Sequence, residues 1–259
     1  MDVVNDLVEE VFCLNFETKL FAQYVNYGVL ERWIPGFSDR ITEECHVIRY
    51  DFVKKYVGSK SVLDIACGTG KGSSMMAEAG AAKVLGADID PDAVRYARHR
   101  YKQSNLSYTV ADATQFVSDQ KFDVIVSFET IEHLNDVASF LKNINANLKP
   151  GGVFLVSTPL SSKDIDTQPH NIYHVQEWGF RKFQEVVAEF LVVEKSFLQL
   201  FPEQPTGRLT IYIDRLLNRQ AKPAYTTKIY EADEVEKAGK LLKLGKSVKG
   251  YQILQCVKK

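Results

Sequence analysis

Short apolar runs alternate with helix-compatible segments through the middle of the chain, between about residues 61 and 159. The runs are almost uninterrupted, as in 122–128, which is typical of strands whose two faces are both covered. Alternation of such strands with helices predicts a parallel sheet with helices on both sides, an α/β fold. After a first strand near residue 61, the predicted strands are 83–88, 106–110, 122–128 and 153–158, and the predicted helices are 72–79, 91–102 and 135–147.

Residues 1–60 precede this alternation and are predicted to form an N-terminal helical cap. Apolar spacing predicts a short amphipathic helix at 3–12 and a second helix at 43–57. The stretch between these helices is rich in aromatic residues, which we expect to be buried. The residues concerned are Phe21, Tyr24, Val25 and Tyr27.

The chain from residue 61 to residue 259 is predicted to form one core domain. Residues 201–247 form a connection longer than a hairpin needs, and connections beyond about 12–15 residues usually carry structure or function. We expect an insertion that covers the substrate, and a disordered insertion is the alternative. The predicted elements of this part are a helix at 177–190, a strand at 191–199, helices at 211–217 and 234–244, and a last strand at 251–257.

A glycine-rich turn follows the first strand, in the sequence Ser61–Gly72, with Asp64 ahead of Gly68, Gly70 and the final glycine. Glycines allow positive φ and let the backbone approach a ligand closely, and the N-terminus of the next helix adds partial positive charge. The turn is therefore predicted to bind a nucleotide-type ligand. Its spacing differs from that of a P-loop and from G-x-G-x-x-G. The Asp64 carboxylate would repel a pyrophosphate and suits a ligand that carries an ammonium group.

Acidic residues end the first three predicted strands, at Asp64, Asp88 and Asp112. Asp88 lies 24 residues after Asp64, close to the distance of roughly 20 residues at which a Rossmann-type site places its ribose-binding carboxylate. Ligands of open α/β sheets bind beyond the carboxyl ends of the strands. We therefore expect these acids, together with Phe128 at the end of the fourth strand, to surround one site.

These motifs, with the segment Phe122–Leu134 and the Lys-Pro-Gly-Gly turn at 149–152, resemble the class I S-adenosylmethionine-dependent methyltransferases. Five matches in the family's order cover about residues 61–159. The resemblance implies a Rossmann-like fold with a seven-stranded, mostly parallel sheet and an antiparallel last strand. It also implies that S-adenosyl-L-methionine is the cofactor and S-adenosyl-L-homocysteine the product.

The resemblance also assigns cofactor contacts. It implies that Asp64 meets the methionine ammonium group, directly or through water, that Asp88 accepts from both ribose hydroxyls, and that Asp112 accepts from the adenine amine. Ordinary core packing is the alternative for Ile89 and Phe128. The other implied cofactor-binding residues are Ala66, Gly68, Gly70, Ile89, Ala113 and Phe128, with Arg49 or Tyr50 near the methionine carboxylate unless the arginine is solvated and the tyrosine lies in the core.

Two histidines are candidates for the catalytic base, since a hydroxyl acceptor must lose its proton and histidine can take it near neutral pH. His133 follows the fourth strand, where the acceptor enters in the family, and Glu129 and Glu132 could orient it. His174 lies in an N-x-x-H-x-x-E stretch at 171–177, similar to one found in related small-molecule methyltransferases. The alternative for His174 is a structural hydrogen bond that fixes its loop.

The acceptor is suggested by the loop after the fourth strand. Ser127–Thr130 stands where enzymes that methylate amino groups of bases or glutamine carry an N-P-P-Y-type tetrad. The F-E-T-I-E-H-L pattern at 128–134 resembles bacterial methyltransferases of sugars and other small hydroxylated metabolites. We expect an O-methyltransferase for such an acceptor. The alternatives are a quinone- or lipid-precursor O-methyltransferase, which shares the E-H-L loop, and a cofactor-binding protein without catalysis.

The composition of the chain and its charge disfavour several classes of binding partner. With 32 basic and 33 acidic residues the net charge is −1, so no basic field favours nucleic acid. Four scattered cysteines without a C-x-x-C pair indicate reduced thiols in a cytoplasmic protein. The sequence has no apolar run of about 18 residues, so no membrane span is predicted. Its N-terminus lacks the basic start of a signal peptide, so no signal peptide is predicted. Asp164, Asp166 and His170 could hold a hard cation, but a solvated loop is preferred, and no metal is predicted. The oligomeric state stays open.

Overall fold

A computed structural model describes residues 2–27, 32–36, 38, 40–161, 169, 171–200, 227–233 and 250–259. Its strands are β1 Ser61–Ile65, β2 Lys83–Asp88, β3 Leu106–Val110, β4 Phe122–Phe128, β5 Leu148–Pro159, β6 Leu191–Leu200, β7 Lys228–Glu231 and β8 Gly250–Lys258. Its helices are α1 Asp2–Tyr27, α2 Arg40–Val57, α3 Lys71–Glu78, α4 Pro91–Arg100, α5 Val137–Asn147 and α6 Phe180–Ala188, with a 3₁₀ turn at Ile131–His133.

All of these strands belong to one sheet, in the order β3-β2-β1-β4-β5-β8-β6-β7. Neighbouring strands from β3 to β5 run parallel, whereas β8 lies antiparallel between β5 and β6. The predicted α/β fold with an antiparallel last strand is confirmed. Strands β2, β3 and β4 have the predicted bounds, because an apolar run buried on both faces ends where its polar loop begins.

The sheet has one strand more than predicted. Residues 228–231, which fall inside the expected insertion at 201–247, form β7 and pair antiparallel with Phe197–Leu200 at the edge of the sheet. Part of this segment therefore extends the sheet, and the covering of the substrate by the insertion stays a prediction. The helices predicted at 211–217 and 234–244 lie outside the described residues.

Helices cover both faces of the sheet, as predicted. On one face α5 and α6 contribute Phe140 and Phe183 to a core that includes Phe154 of β5. On the other face α2 and α3 contribute Val53 and Met76 to a second core. Each such side chain, fully buried, stabilises the fold by about 1.5–3 kcal/mol. The two cores leave the carboxyl ends of the parallel strands accessible for a ligand.

The N-terminal cap consists of two helices, but α1 is much longer than the predicted 3–12. It packs on α4 through Cys13, Phe16 and Leu20. The prediction that Phe21 and Val25 are buried is wrong: they are 46% and 66% exposed, because they do not lie on the face of α1 that packs on α4. The side chains of Tyr24 and Tyr27 lie outside the described residues. No helix in the described ranges combines the length and apolarity needed to cross a membrane.

Candidate active site

The glycine-rich turn between β1 and α3 has an unusual backbone. Ala66, Gly68 and Gly70 all adopt positive φ, at 61°, 55° and 83°, a region that glycine enters without strain. A side chain at Gly70 would place Cβ 2.6 Å from Ala97 Cβ and 2.8 Å from the Tyr108 hydroxyl oxygen. An added side chain at Gly70 would therefore collide with α4 and β3, and the contact of its backbone with a ligand stays a prediction.

A cavity of about 420 Å³ opens at the carboxyl ends of the parallel strands. Its wall combines the turn after β1 with the ends of β2, β3 and β4 and with residues of α2. Most of the predicted site residues meet there, whereas Arg49, Asp64 and Gly70 do not line it. The predicted residues that line the cavity are Tyr50, Ala66, Gly68, Asp88, Ile89, Asp112, Ala113, Phe128, His133 and His174.

Asp88 is fixed at the end of β2 by two backbone hydrogen bonds. Its Oδ2 accepts from the Gly68 N–H at 2.8 Å and its Oδ1 accepts from the Asp90 N–H at 3.0 Å. Arg32 Nη2 lies 3.8 Å from Oδ1. Each carboxylate oxygen can accept a further hydrogen bond, so a ligand hydroxyl can bind a preoriented group.

Ile89 and Asp112 form the neighbouring part of the wall. Ile89 is 63% exposed, so the alternative that it packs in the core is wrong. Asp112 Oδ1 accepts from the Thr114 N–H and hydroxyl at 2.8 and 2.7 Å, and its Oδ2 accepts from Gln115 Nε2 at 2.8 Å. These hydrogen bonds, first that of the Thr114 hydroxyl, lower the pKa of Asp112. An exposed apolar side chain beside an ionised acceptor suits an aromatic ring with an amino group.

Asp64 lies beneath the cavity. It is 1% exposed, its Oδ1 accepts from the Tyr50 hydroxyl at 3.3 Å, and its Oδ2 accepts from the Ser73 hydroxyl at 2.6 Å. Burial raises the pKa of this carboxyl to about 7. Asp64 thus joins α2 and α3 to β1, and its contact with a ligand ammonium group stays a prediction.

Arg49 is not solvated, as one interpretation of the sequence had it, but fully buried. Its Nη1 donates to Gln199 Oε1 at 2.9 Å, and its guanidinium lies 4.0 Å from the centroid of the Tyr251 ring. It therefore ties α2 to β6 and β8 behind the cavity. Of the two residues predicted near the methionine carboxylate, Tyr50 is the one that lines the cavity.

Gly72, the third glycine of the turn, was not predicted to have a role. A Cβ at this position would lie 1.9 Å from Tyr50 Cζ, so the tyrosine ring packs directly on the glycine backbone. The spacing of the glycines is visible in the sequence, but the contact of Gly72 with Tyr50 of α2 is not. Gly72 is the residue that allows Tyr50 to cover the turn.

Among the described residues, His133 hydrogen-bonds through one ring nitrogen, and its Nε2 lies 4.0 Å from Glu132 Oε1, beyond hydrogen-bond distance. Its Nδ1 lies 2.9 Å from the carbonyl oxygen of Tyr173, which can only accept, so Nδ1 carries the proton and Nε2 is the acceptor in the neutral ring. Burial lowers the pKa of His133, which favours that neutral form. The backbone of Tyr173 orients the ring, and not Glu129, whose Oε1 accepts from the Ser157 hydroxyl at 2.6 Å.

His174 is held at both ring nitrogens. Its Nδ1 lies 2.8 Å from Glu177 Oε1 and its Nε2 lies 2.8 Å from Asn171 Nδ2. The N-x-x-H-x-x-E stretch is thus a chain of hydrogen bonds that fixes its own loop. The His174 ring packs edge-on against that of His133, with centroids 4.9 Å apart. This arrangement agrees with the structural alternative for His174.

Glu132 is buried beside these rings. Its Oε2 accepts from the Thr158 hydroxyl at 3.0 Å, and its Oε1 has no hydrogen-bond partner among the described residues. Burial, and then the neighbouring Glu129, raise the pKa of Glu132 well above its usual value. Glu132, His133 and His174 offer ligand atoms within 4.8 Å of one another, so these three could hold a cation if His174 gave up a hydrogen bond. Asp164, Asp166 and His170 lie outside the described residues.

The sheet order and the cavity at its strand ends define a Rossmann-like α/β protein with a site for a nucleotide-type ligand. Residues 63–156 match the family model of a methyltransferase domain. This match, together with the similar proteins described next, supports a class I S-adenosylmethionine-dependent methyltransferase family for the chain.

Two proteins of similar sequence agree with this result. The chain is 34% identical over 162 residues to a probable S-adenosylmethionine-dependent methyltransferase of Mycolicibacterium smegmatis, with 61% of this chain and 62% of the relative covered. It is 34% identical over 137 residues to a ubiquinone biosynthesis O-methyltransferase of Actinobacillus pleuropneumoniae, with 49% and 58% covered. The match thus spans about three fifths of the length of each relative.

A solved structure shares the fold. Phosphoethanolamine N-methyltransferase 2 of Haemonchus contortus, determined in complex with S-adenosyl-L-methionine, superposes with a TM-score of 0.53 over 92% of this chain and 60% of that one. The two sequences are 16% identical, so this likeness concerns the fold alone.

Proposed function

We propose that this chain binds S-adenosyl-L-methionine and transfers its methyl group to a hydroxyl of a small molecule, with His133 as the base. The proposal depends above all on one observation. His133 lines the same cavity as Asp88 and Asp112, and its hydrogen bond to the Tyr173 carbonyl leaves Nε2 as the acceptor. A neutral imidazole of this kind can take the proton of an acceptor hydroxyl.

The residues at the other end of the cavity fit the cofactor of the family. Asp88 would hold the ribose hydroxyls, because its carboxylate is already oriented by two backbone N–H groups. Ile89 would cover one face of the adenine, which explains why a large apolar side chain stays exposed there. Gly68 and Asp112 would complete this end. When bound, S-adenosyl-L-methionine would supply an activated methyl group.

At the acceptor end the chain contributes position and proton removal. Tyr173 and His174 line the cavity next to His133, and the hydrogen bonds of His174 to Asn171 and Glu177 hold this loop in place. Fixing the acceptor against the methyl donor is the main contribution that a protein makes to such a displacement. His133 is the proposed catalytic base, and His174 positions it.

The chemical class of the methyl acceptor is a separate and more specific proposal. A sugar or another small hydroxylated metabolite follows from the loop pattern, but the relatives described above give no support for a sugar. A phenolic quinone precursor is the second candidate, favoured by the likeness to a ubiquinone biosynthesis O-methyltransferase. Both candidates require the same removal of a hydroxyl proton.

Calorimetry with S-adenosyl-L-methionine, followed by turnover assays with labelled methyl donor, tests the proposal. The acceptor panel contains sugars, catechol-type phenols and phosphoethanolamine. His133→Gln should keep the cofactor affinity and lower turnover by roughly 10²–10⁴-fold, the usual contribution of a general base. His99→Gln, at a histidine of α4 that pairs with Glu10 at 3.1 Å, is the matched control and should change neither.

Three outcomes would contradict parts of this proposal. Cofactor binding without turnover on any acceptor would favour a binding protein without catalysis. Transfer to phosphoethanolamine alone would replace the hydroxyl by an amine. A strict requirement for a divalent cation would assign Glu132, His133 and His174 to that cation instead of to proton transfer.

A further inference from the structure

Helix α1 has two apolar faces, and only one of them packs on the rest of the described chain. Cys13, Phe16 and Leu20 are buried against α4. The opposite face carries six aliphatic side chains that are 50–66% exposed. These are Val4, Leu7, Val8, Val11, Leu14 and Val25.

The exposed face follows a seven-residue repeat. Of the four a positions of a heptad, three are Val4, Val11 and Val25 and the remaining one is Thr18. The d positions are Leu7, Leu14 and Phe21, and Val8 lies beside them at a position e. A helix that merely covers its own core shows a wider stripe, whereas a strict a/d seam is typical of a coiled coil. Valine at a with leucine at d favours two strands, and one polar residue at a fixes their register.

The size of this face suits an interface between two chains. Six aliphatic side chains exposed to this extent leave on the order of 500 Å² of apolar surface, as large as the largest patches on typical monomers. Two such faces together would bury about 1,000 Å², the lower limit for a specific interface. We propose that α1 pairs with α1 of a second copy of this chain as a parallel two-stranded coiled coil.

The heptad register favours the parallel orientation. Glu10 and Glu17, at positions g, are already paired with His99 and Arg100 of α4, so they do not repel a second copy across the seam. In a parallel pair in register each a position meets a and each d position meets d, so the polar Thr18 faces its own equivalent. In an antiparallel pair Thr18 would face an apolar d position.

The same charges disfavour a lipid surface as the occupant. Helix α1 contains five acidic residues and a single lysine, Lys19. Helices that lie on membranes are rich in lysine and arginine, because the lipid headgroups of those surfaces are often anionic. An acidic helix with an uncharged apolar seam suits another copy of itself better.

Light scattering during size-exclusion chromatography of the full chain tests the pairing. The unmodified protein should elute with the mass of a dimer. Leu14→Lys, which places a charge in the seam, should shift it to the mass of a monomer. Asn5→Lys, at an exposed position of α1 outside the seam, is the matched control and should leave the dimer intact. Far-UV circular dichroism should show the same helix content in both variants at room temperature, whereas the melting temperature should fall only in Leu14→Lys, because only that variant loses the stabilisation of the dimer.

Oxidative cross-linking tests the orientation. In the parallel register Leu7→Cys faces its own equivalent and should give a covalent dimer on a non-reducing gel. The four native cysteines are buried, so the unmodified protein should stay uncross-linked. A monomeric unmodified protein, or a dimer that survives Leu14→Lys, would overturn the proposed surface. A dimer that Leu7→Cys fails to cross-link would overturn the parallel register.

Discussion

Gly72→Ala is the substitution whose effect can be worked out most directly from the structure. The added Cβ would lie 1.9, 2.3 and 2.4 Å from three ring atoms of Tyr50. The ring cannot simply move away, because it is buried, packs edge-on against Phe128 with centroids 5.3 Å apart, and stacks on Trp33. The substitution must therefore displace the tyrosine or separate α2 from α3.

Three contributions set the expected magnitude. Overpacking a tight contact costs about 1–3 kcal/mol. Loss of the hydrogen bond from Tyr50 to the buried Asp64 costs about another 1 kcal/mol. Alanine has a higher helix propensity than glycine, which raises the free energy of unfolding by about 1 kcal/mol. We expect the free energy of unfolding to fall by about 1–3 kcal/mol.

Urea unfolding of a double-mutant cycle tests the cause. With Tyr50 already replaced by alanine, the contact is gone and only the helix propensity remains. Gly72→Ala should then stabilise the protein slightly, so the sign of its effect should reverse. Gly58→Ala is the control, since a Cβ at Gly58 meets nothing within 4 Å. If Gly72→Ala costs as much without the tyrosine ring as with it, the packing argument is refuted.

Other substitutions separate cofactor binding, proton transfer and stability. Asp88→Ala should weaken cofactor binding by roughly tenfold or more in calorimetry, since hydrogen bonds to a charged group are worth about 1.5–3 kcal/mol. His133→Ala should instead lower turnover and leave the cofactor affinity nearly unchanged. Because the base must be unprotonated and burial lowers the pKa of His133 below 6.5, turnover should be constant from neutral to mildly alkaline pH and fall only below pH 6.5. Because the pKa of Asp64 is raised from 3.8 to about 7, the folded state keeps this proton to a higher pH than the unfolded state does. The free energy of unfolding should therefore decrease between about pH 4 and 7, by up to about 4 kcal/mol at 1.4 kcal/mol per pH unit. Asp64→Asn should remove this dependence in urea unfolding without cofactor. His174→Gln should lower thermal stability, because a buried network loses partners worth about 1–3 kcal/mol, and should reduce turnover less than His133→Gln.

Each of these expectations has an opposing result. Equal loss of cofactor affinity in Asp88→Ala and His133→Ala would contradict the division of roles. A turnover profile that declines already above pH 7 would show that another group with a higher pKa controls the rate. A pH dependence of unfolding that persists in Asp64→Asn would assign it to other carboxyls, and a larger turnover loss at His174 than at His133 would exchange their roles.

The parallel core could be predicted because its information is local. Each strand from β2 to β4 is an apolar run followed by a polar or glycine-rich loop, so one segment of sequence contains its own boundaries. The acids at the strand ends were predictable for the same reason, since sheet topology brings the carboxyl ends of parallel strands together. Asp88 and Asp112 line one cavity although they lie on different strands.

Contacts between distant segments could not be predicted in the same way. The pairing of Gly72 with Tyr50 depends on how α2 docks on α3, which no single stretch of sequence specifies. The short strand β7 has only four residues and no turn of its own in the pattern, so its place at the sheet edge follows from pairing with β6. The periodicity of α1 predicts a helix, but apolar residues on both of its faces conceal which one packs on α4.

The two histidines show why residue type and position did not suffice to choose the base. Their rings lie edge to face at 4.9 Å, so both are near the acceptor end of the cavity, and both have glutamates close by in sequence. What distinguishes them is the number of ring nitrogens that hydrogen-bond to the described residues: two in His174, but only Nδ1 in His133. A base needs an unengaged acceptor nitrogen and a fixed tautomer, and in His133 a backbone carbonyl 40 residues away provides the second. Backbone carbonyls have no signature in a sequence, so only the folded structure could assign the role.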